Sequence, residues 1–243
     1  MTFGLEGKPL DLYSAPHIAA ISLILAFCAA LILCRKKLQK EAVGYRFAAI
    51  LAVIISFQQI LLYVWYTCSG EWSISWTLPI QLCDMSIFLC VLVLTTKNKY
   101  LSELLYFWGL GGATQALLTP DIGNYSFPHF VFYQFFAGHG LIVLTCLFII
   151  FVNRFRPTLK SVIRTFIITN LYAAVIIPVN ALTGGNYLFL RYKPQSGSIM
   201  ELLGPWPWYI LWLEAVAIIV FLLLYLPFAF TGSSGKPASI SSG

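Results

Sequence analysis

The chain has 243 residues, of which 59% are apolar and 10% are charged. Soluble domains carry about 45–50% apolar and about 25% charged residues, so this chain has too few polar side chains to cover a surface in water. The composition therefore excludes a water-soluble fold, an intrinsically disordered chain and a free nucleic-acid-binding domain. Despite the net charge of +6, nucleic acid is not an expected partner.

Seven stretches are apolar and long enough to cross a bilayer as helices, which takes about 20 residues each. In chain order they are residues 15–34, 47–67, 78–96, 100–119, 130–152, 161–182 and 206–228. Because the connections are short, consecutive helices should be neighbours. The sequence therefore predicts an all-α membrane protein, a single bundle of seven transmembrane helices within residues 1–231. A disordered Gly/Ser-rich tail is predicted at residues 232–243.

The basic residues are distributed unevenly between the two sides of the predicted bundle. Twelve of the fifteen Lys and Arg residues lie beside the first, third and fifth connections or in the tail, and the other three are Lys8, Arg191 and Lys193. Cytoplasmic connections of membrane proteins carry an excess of Lys and Arg. The pattern predicts a multi-pass protein of the cell membrane with its N-terminus outside and its C-terminus inside.

Polar side chains within the predicted spans lie mainly in their outer halves. Such groups are costly in a bilayer and are candidates for function. Besides Cys83 and His139 they include Gln81, Asp84, Gln115, Asn170, Asn180 and Glu214. This layering predicts one outward-facing polar cavity, in which these residues support the site or stabilise an oxyanion. For Gln58, Gln59 and Asn170, hydrogen bonding between helices is the favoured alternative.

Cys83 is the candidate nucleophile among the six cysteines of the chain. It lies about 8 Å below the outer end of the third predicted span, and His139 lies about 13 Å below that of the fifth. A thiol becomes nucleophilic beside a base such as His, so this pair is suited to forming an acyl thioester. The alternative is that Cys83 only packs in the core. No Cys/His spacing typical of metal ligation occurs, and no metal or cofactor is expected.

Two of the basic residues on the outer side lie in the longest outer connection. Arg191 and Lys193 are either solvated loop charges or a clamp for a phosphate head group over the cavity, and Arg suits a bidentate grip on phosphate. Trp206 and Trp208 begin the last span and would line the entrance to the cavity. Membrane lipids, with phospholipid as a substrate, are the partners that this arrangement indicates. The oligomeric state follows from none of these patterns.

Four motifs resemble the YwaF-type family of bacterial integral membrane proteins. They are GGNYLFLRYKP at 184–194, LGPWPWY at 203–209, LPIQLC at 78–83 and GHG at 138–140. This family is distantly similar to a eukaryotic multi-spanning acyltransferase that remodels ether phospholipids. The resemblance implies a bacterial cytoplasmic membrane protein in which Cys83 and His139 occupy the positions that carry acyl transfer.

Three functions follow as hypotheses. The first is a Cys-dependent lipid acyltransferase or lipid hydrolase that works through an acyl thioester on Cys83. The second is a transporter or receptor for a small molecule or lipid, in which Asp84 and Glu214 bind a cation or proton. The third is a non-catalytic membrane assembly protein whose polar side chains only join helices.

Overall fold

The computed structural model describes residues 8–193 and 202–230. Within these ranges the chain forms α1 (Ala15–Leu38), α2 (Glu41–Ser69), α3 (Leu82–Thr96), α4 (Lys99–Leu118), α5 (Phe130–Phe151), α6 (Leu159–Thr183) and α7 (Trp208–Ala229), with a short 3₁₀ turn at Tyr187–Phe189. No β-strand occurs in these ranges. The predicted tail at 232–243 lies outside the described residues.

The helices support the membrane class that the composition predicted. Helices α1, α2, α5, α6 and α7 are each long and apolar enough to cross a bilayer. Helix α3 is apolar but has only 15 residues, and α4 carries Lys99 and Glu103 within its 20 residues. The all-helical membrane fold is therefore confirmed, whereas the count of seven spans stays a prediction.

The third helix begins later than the sequence analysis predicted. Residues 78–81 form turns, and α3 begins at Leu82 with Gln81 as its N-cap. Pro79 disfavours a helical conformation at Leu78, and the reciprocal cap of Gln81 with Asp84 fixes the start of the helix at Leu82. As a result Cys83 and Asp84 lie in the first turn of α3 instead of deeper in a span.

Consecutive helices run in alternating directions, so the bundle has two distinct ends. We call the end where α1 begins the N-terminal end, and the other the opposite end. At the N-terminal end the His17 side chain of α1 bonds to Leu117 O of α4, and Gln81 before α3 bonds to Leu188 N after α6. At the opposite end Gln39, which follows α1, donates to Phe151 O at the end of α5.

The apolar core lies toward the opposite end of the bundle. Helix α4 packs against α3, α5, α6 and α7, while α1 packs against α5 and α2. Val93, Leu105, Phe107 and Cys146 are completely buried in this core. The packing leaves the space between α2, α3, α4 and α5 less completely filled at the N-terminal end.

A salt bridge that sequence reasoning missed joins α4 to α6 near the opposite end. The Glu103 carboxylate is almost fully buried and accepts from Arg164, whose guanidinium also lies 4.7 Å from the centre of the Tyr100 ring. A buried carboxylate needs such a partner, because an unpaired charge in the core is strongly destabilising. The pair therefore ties α6 to α4 at the opposite end.

We expect Gly109→Ala to destabilise the bundle by about 1–3 kcal/mol, the usual cost of overpacking a core. A Cβ atom at Gly109 would lie 2.8 Å from Ile142 Cγ2 and 2.9 Å from Cys146 Sγ, so α4 and α5 would have to separate. The measurement is the melting temperature in detergent. Thr114→Ala on an exposed position of α4 is the control. Equal melting temperatures for the two variants would show that α4 and α5 do not depend on this contact.

Candidate functional site

A cavity of about 550 Å³ lies at the N-terminal end of the bundle, lined by α2, α3, α4, α5 and the α6–α7 connection. We call it the site cavity. Its polar lining includes Gln59, Tyr66, Gln81, Cys83, Asp84, Gln115, Thr119, Asp121, Gln134 and His139. The thiol and the imidazole that the sequence analysis selected therefore border the same space.

The first turn of α3 is held by a reciprocal cap that positions Cys83. The Gln81 side chain accepts from the N–H of Asp84, and an Asp84 carboxylate oxygen accepts from the N–H of Gln81 at 3.3 Å. Gln81 Oε1 also accepts from Leu188 N at 2.8 Å. Cys83 lies between the two capping residues, where the positive end of the helix dipole favours negative charge.

Gly112 of α4 lies next to the thiol of Cys83 in the wall of the site cavity. A Cβ atom at this position would lie 3.5 Å from Cys83 Sγ, which is ordinary van der Waals contact. The missing side chain at Gly112 therefore leaves space for another group beside the sulfur. A larger residue would fill that space.

His139 differs from the other two histidines in the hydrogen bonds that its ring nitrogens make. Its Nδ1 lies 2.8 Å from Phe135 O, and since a carbonyl oxygen only accepts, Nδ1 carries the proton. Nε2 is then unprotonated and able to accept a proton. By contrast, His17 uses both nitrogens, with Nδ1 accepting from Tyr13 N and Nε2 bonded to Leu117 O, and His129 caps α5 by accepting from Val131 N.

Three glutamine side chains form a directed chain of hydrogen bonds that ends at the site cavity. Gln134 Nε2 donates to Gln58 Oε1 at 3.1 Å, and Gln58 Nε2 donates to Gln59 Oε1 at 3.3 Å. Gln59 is only 7% exposed, and at least one N–H group of its Nε2 has no hydrogen-bond partner. The Gln58–Gln134 contact joins α2 to α5, as interhelical hydrogen bonding predicts, but Gln59 leaves an unused donor at the cavity wall.

Gln115 lines the site cavity, whereas Asn180 forms hydrogen bonds with the α6–α7 connection. Gln115 Nε2 donates to Thr119 Oγ1 at 2.6 Å. Asn180 is buried, donates to Tyr187 O at 2.9 Å and accepts from Tyr187 N at 2.7 Å. The side chain of Asn180 therefore holds the backbone of Tyr187.

The Tyr187 hydroxyl in turn holds the segment that precedes α3. It accepts from Leu78 N at 3.0 Å and donates to Ile74 O at 2.8 Å. Burial raises the pKa of this phenol above its ordinary value, so it remains protonated and keeps its donor. Tyr172 of α6 adds a bond from its hydroxyl to Ile80 O at 2.7 Å.

The residues predicted to bind a head group lie in the α6–α7 connection and at the start of α7, outside the described lining of the site cavity. Arg191 Nη1 donates to Gly185 O at 3.2 Å, and Lys193 Nζ lies 5.7 Å from the centre of the Tyr209 ring. Trp206 Nε1 donates to Leu190 O at 3.2 Å. Trp206 and Trp208 are both about three-fifths exposed, at 61% and 62%.

Asn170 and Glu214 pair with each other instead of lining the site cavity. Asn170 Nδ2 of α6 donates to Glu214 Oε2 of α7 at 2.8 Å and also to Phe166 O at 3.1 Å. Asn170 is exposed on the outside of the bundle. Position along the sequence gives the depth of these two residues in the membrane but not the side of the helix that they occupy.

The described residues therefore define a helical membrane protein with a polar cavity at one end of its bundle, in which a thiol, a carboxyl group and an imidazole share one space. Among these residues no group of three or more His, Cys, Asp or Glu side chains is arranged to hold a metal ion.

The chain belongs to the TMEM164 family, which it matches over residues 12–225. TMEM164 is a multi-pass membrane family. The chain is also similar to an uncharacterized protein of Treponema pallidum (strain Nichols), with 29% identity over 153 residues. That match covers 62% of this chain and 62% of the relative, less than two thirds of either. No solved structure matches the chain.

We expect a small water-soluble thiol reagent to modify Cys83 in the folded protein, while Cys90 and Cys146, which are completely buried, react only after denaturation. Gly112→Leu should block the reaction at Cys83, because its side chain would fill the space beside Sγ. Mass spectrometry of peptides gives the extent of modification at each site. The exposed Cys68 is the internal control, and unchanged labelling of Cys83 in Gly112→Leu would contradict the position of the thiol.

Proposed function

We propose that this protein, of the YwaF type that its motifs resemble, transfers an acyl group from a membrane lipid to a second lipid hydroxyl or to water. Cys83 carries the acyl group as a thioester, and His139 acts as general base and acid. The observation that supports this most is that Cys83 and His139 line one cavity in a membrane-embedded bundle. Asp84 and Gln115 line the same cavity and are proposed to support the site.

The first half of the reaction forms the thioester. His139 Nε2 takes the proton of the Cys83 thiol, and Sγ attacks the carbonyl carbon of a lipid ester. The bond between that carbon and the alcohol oxygen breaks, and the leaving alkoxide takes the proton from the His139 imidazolium. The bond from Nδ1 to Phe135 O supports this role, since it holds the ring in the tautomer that leaves Nε2 available.

The second half releases the acyl group. A lipid hydroxyl or water gives its proton to His139 Nε2 and attacks the thioester carbonyl. The carbon–sulfur bond breaks, and the thiolate of Cys83 recovers a proton from His139. Water as acceptor gives hydrolysis, and a lipid hydroxyl gives acyl transfer between lipids, so the same residues serve both reactions.

The α6–α7 connection is proposed to bind the head group of a phospholipid substrate. Arg191 and Lys193 add positive charge at the end of the bundle where the site cavity lies, and Arg can bond to phosphate through two N–H groups. Trp206 and Trp208 are exposed beside them and suit the membrane–water interface. Gln81, through its bond to Leu188 N, links this connection to the first turn of α3.

The transport hypothesis has less support from the packing. A transporter needs a polar route through the bundle, and the side chains of α3, α4 and α5 toward the opposite end pack into an apolar core. Glu214, the proposed cation ligand, is paired with Asn170 between α6 and α7. Acyl transfer needs no route beyond the site cavity.

We expect Cys83→Ala to abolish the acyl thioester, because no other described cysteine shares a cavity with His139. His139→Gln should slow its formation about 10²–10⁴-fold, the usual contribution of general base catalysis. Purified protein in nanodiscs with acyl-labelled phospholipid is assayed for protein-bound label that hydroxylamine removes. Cys34→Ala, at an exposed position of α1 near the opposite end, is the control. Label that survives Cys83→Ala would exclude Cys83 as the nucleophile.

We also propose that all seven helices span the bacterial cytoplasmic membrane, with the N-terminal end of the bundle outside. Cys68 then faces the exterior at the end of α2, and Lys36 in the last turn of α1 faces the interior. In intact cells a membrane-impermeant maleimide should label Cys68 in a variant that lacks Cys34 and Cys83. It should not label a Lys36→Cys substitution in a variant that also lacks Cys68. Permeabilised cells should label both, and the reverse pattern in intact cells would invert the orientation.

A further inference from the structure

A second concave region lies beside the site cavity, on the outer surface of α2 and α3. It has a volume of about 770 Å³, and we call it the lateral groove. Its lining includes Ile60, Val64, Ile87, Phe88, Val91 and Leu92, together with Gln59. No charged side chain is among the described residues that line it, so its chemistry suits a hydrocarbon.

The lateral groove and the site cavity adjoin each other. Gln59 of α2 and Ile87 of α3 line both of them, so these two side chains form a wall that the two spaces share. Cys83 lies one turn before Ile87 on α3. The lateral groove therefore begins about 6 Å along the helix axis from Cys83.

The length of the lateral groove matches one leaflet of a bilayer. Its residues on α2 run from Ser56 to Cys68, which is about 18 Å of helix at 1.5 Å per residue. Half of the hydrocarbon core of a bilayer is about 15 Å thick. A single acyl chain of a membrane lipid therefore has the length as well as the polarity that the groove requires.

Gln59 presents a hydrogen-bond donor at the junction of the two spaces. Because Gln58 Nε2 donates to Gln59 Oε1, the amide is oriented with Nε2 and its two N–H groups on the other side. The Tyr63 hydroxyl one turn along α2 donates to Thr77 O, and its oxygen is near enough to accept from one N–H group of Gln59 Nε2, which leaves the other N–H group without a partner. A buried donor without a partner costs free energy, and a carbonyl oxygen of a ligand would satisfy it.

We propose that the lateral groove binds the acyl chain of the lipid substrate, and that Gln59 Nε2 donates to the carbonyl oxygen of that acyl group. The inference rests on the proposed function, since it places the carbonyl carbon within reach of Cys83. An uncharged amide suits a neutral ester carbonyl. The same N–H group then stabilises the oxyanion that forms when Sγ attacks. Ile87 separates the carbonyl in the site cavity from the chain in the groove.

The binding step is tested without catalysis. Cys83→Ala protein in nanodiscs receives phosphatidylcholine with a diazirine at the end of one acyl chain, and adducts are mapped after irradiation. We expect adducts at Ile60, Val64, Val91 and Leu92 to exceed those on other lipid-facing positions, and Val91→Trp to reduce them severalfold by filling the groove. Leu171→Trp, on the exposed surface of α6, is the matched control. Adducts spread evenly over the bundle, or unaffected by Val91→Trp, would overturn the acyl-chain site.

The role of Gln59 is tested in the otherwise unchanged protein. Gln59→Leu should slow thioester formation at least about 10²-fold, the usual effect of losing an oxyanion donor, while diazirine adducts in the groove persist. Gln39→Leu removes a hydrogen bond at the opposite end and controls for lost stability. An unchanged rate in Gln59→Leu would overturn this role. If the protein with Cys83 unchanged gives groove adducts but forms no thioester, the proposed reaction is contradicted and the acyl-chain site stands.

Discussion

The arrangement of the site depends on how the backbone N–H groups at the start of α3 find partners. The first N–H groups of a helix have no acceptor within it, and an unpaired one is costly where water is excluded. Gln81 and Asp84 meet this need by capping each other, and Gln81 also accepts from Leu188 N. One glutamine therefore joins the α6–α7 connection to α3 and holds Cys83 in the first turn.

The opposite end of the bundle stabilises the fold, and the N-terminal end contains the candidate site. At the opposite end, close packing around Gly109 and the buried pair of Glu103 with Arg164 hold α4 against α5 and α6. At the N-terminal end, hydrogen bonds from Asn180 and Tyr187 order the connections. A site needs support from rigid elements to keep its groups within reach of each other. The apolar half supplies that rigidity, and Ile87 and Ile142 of its core also form part of the wall of the site cavity.

The sequence could predict depth along a helix but not direction around it. Depth follows from the rise per residue, so Gln81, Cys83, Asp84, Gln115 and His139 were placed in one layer, and they line one cavity. In a soluble protein an apolar stripe shows which face of a helix is buried. Lipid is as apolar as the core, so here no stripe marks that face. Asn170 and Glu214 were therefore assigned to the cavity although they pair between α6 and α7. For the late start of α3 the sequence does contain an indication, because Pro79 disfavours a helical conformation at Leu78.

The roles of His139 and Gln59 both follow from accounting for donors and acceptors. Phe135 O can only accept, so His139 keeps a proton on Nδ1 and presents Nε2 as an acceptor. Each glutamine from Gln134 to Gln59 donates to the next, so the last one presents a donor. A thiol that attacks an ester needs an acceptor for its proton and a donor for the negative charge that develops on the carbonyl oxygen. The wall of the site cavity supplies both groups near Cys83. His139 is the acceptor for the proton, and Gln59 is the donor for the negative charge.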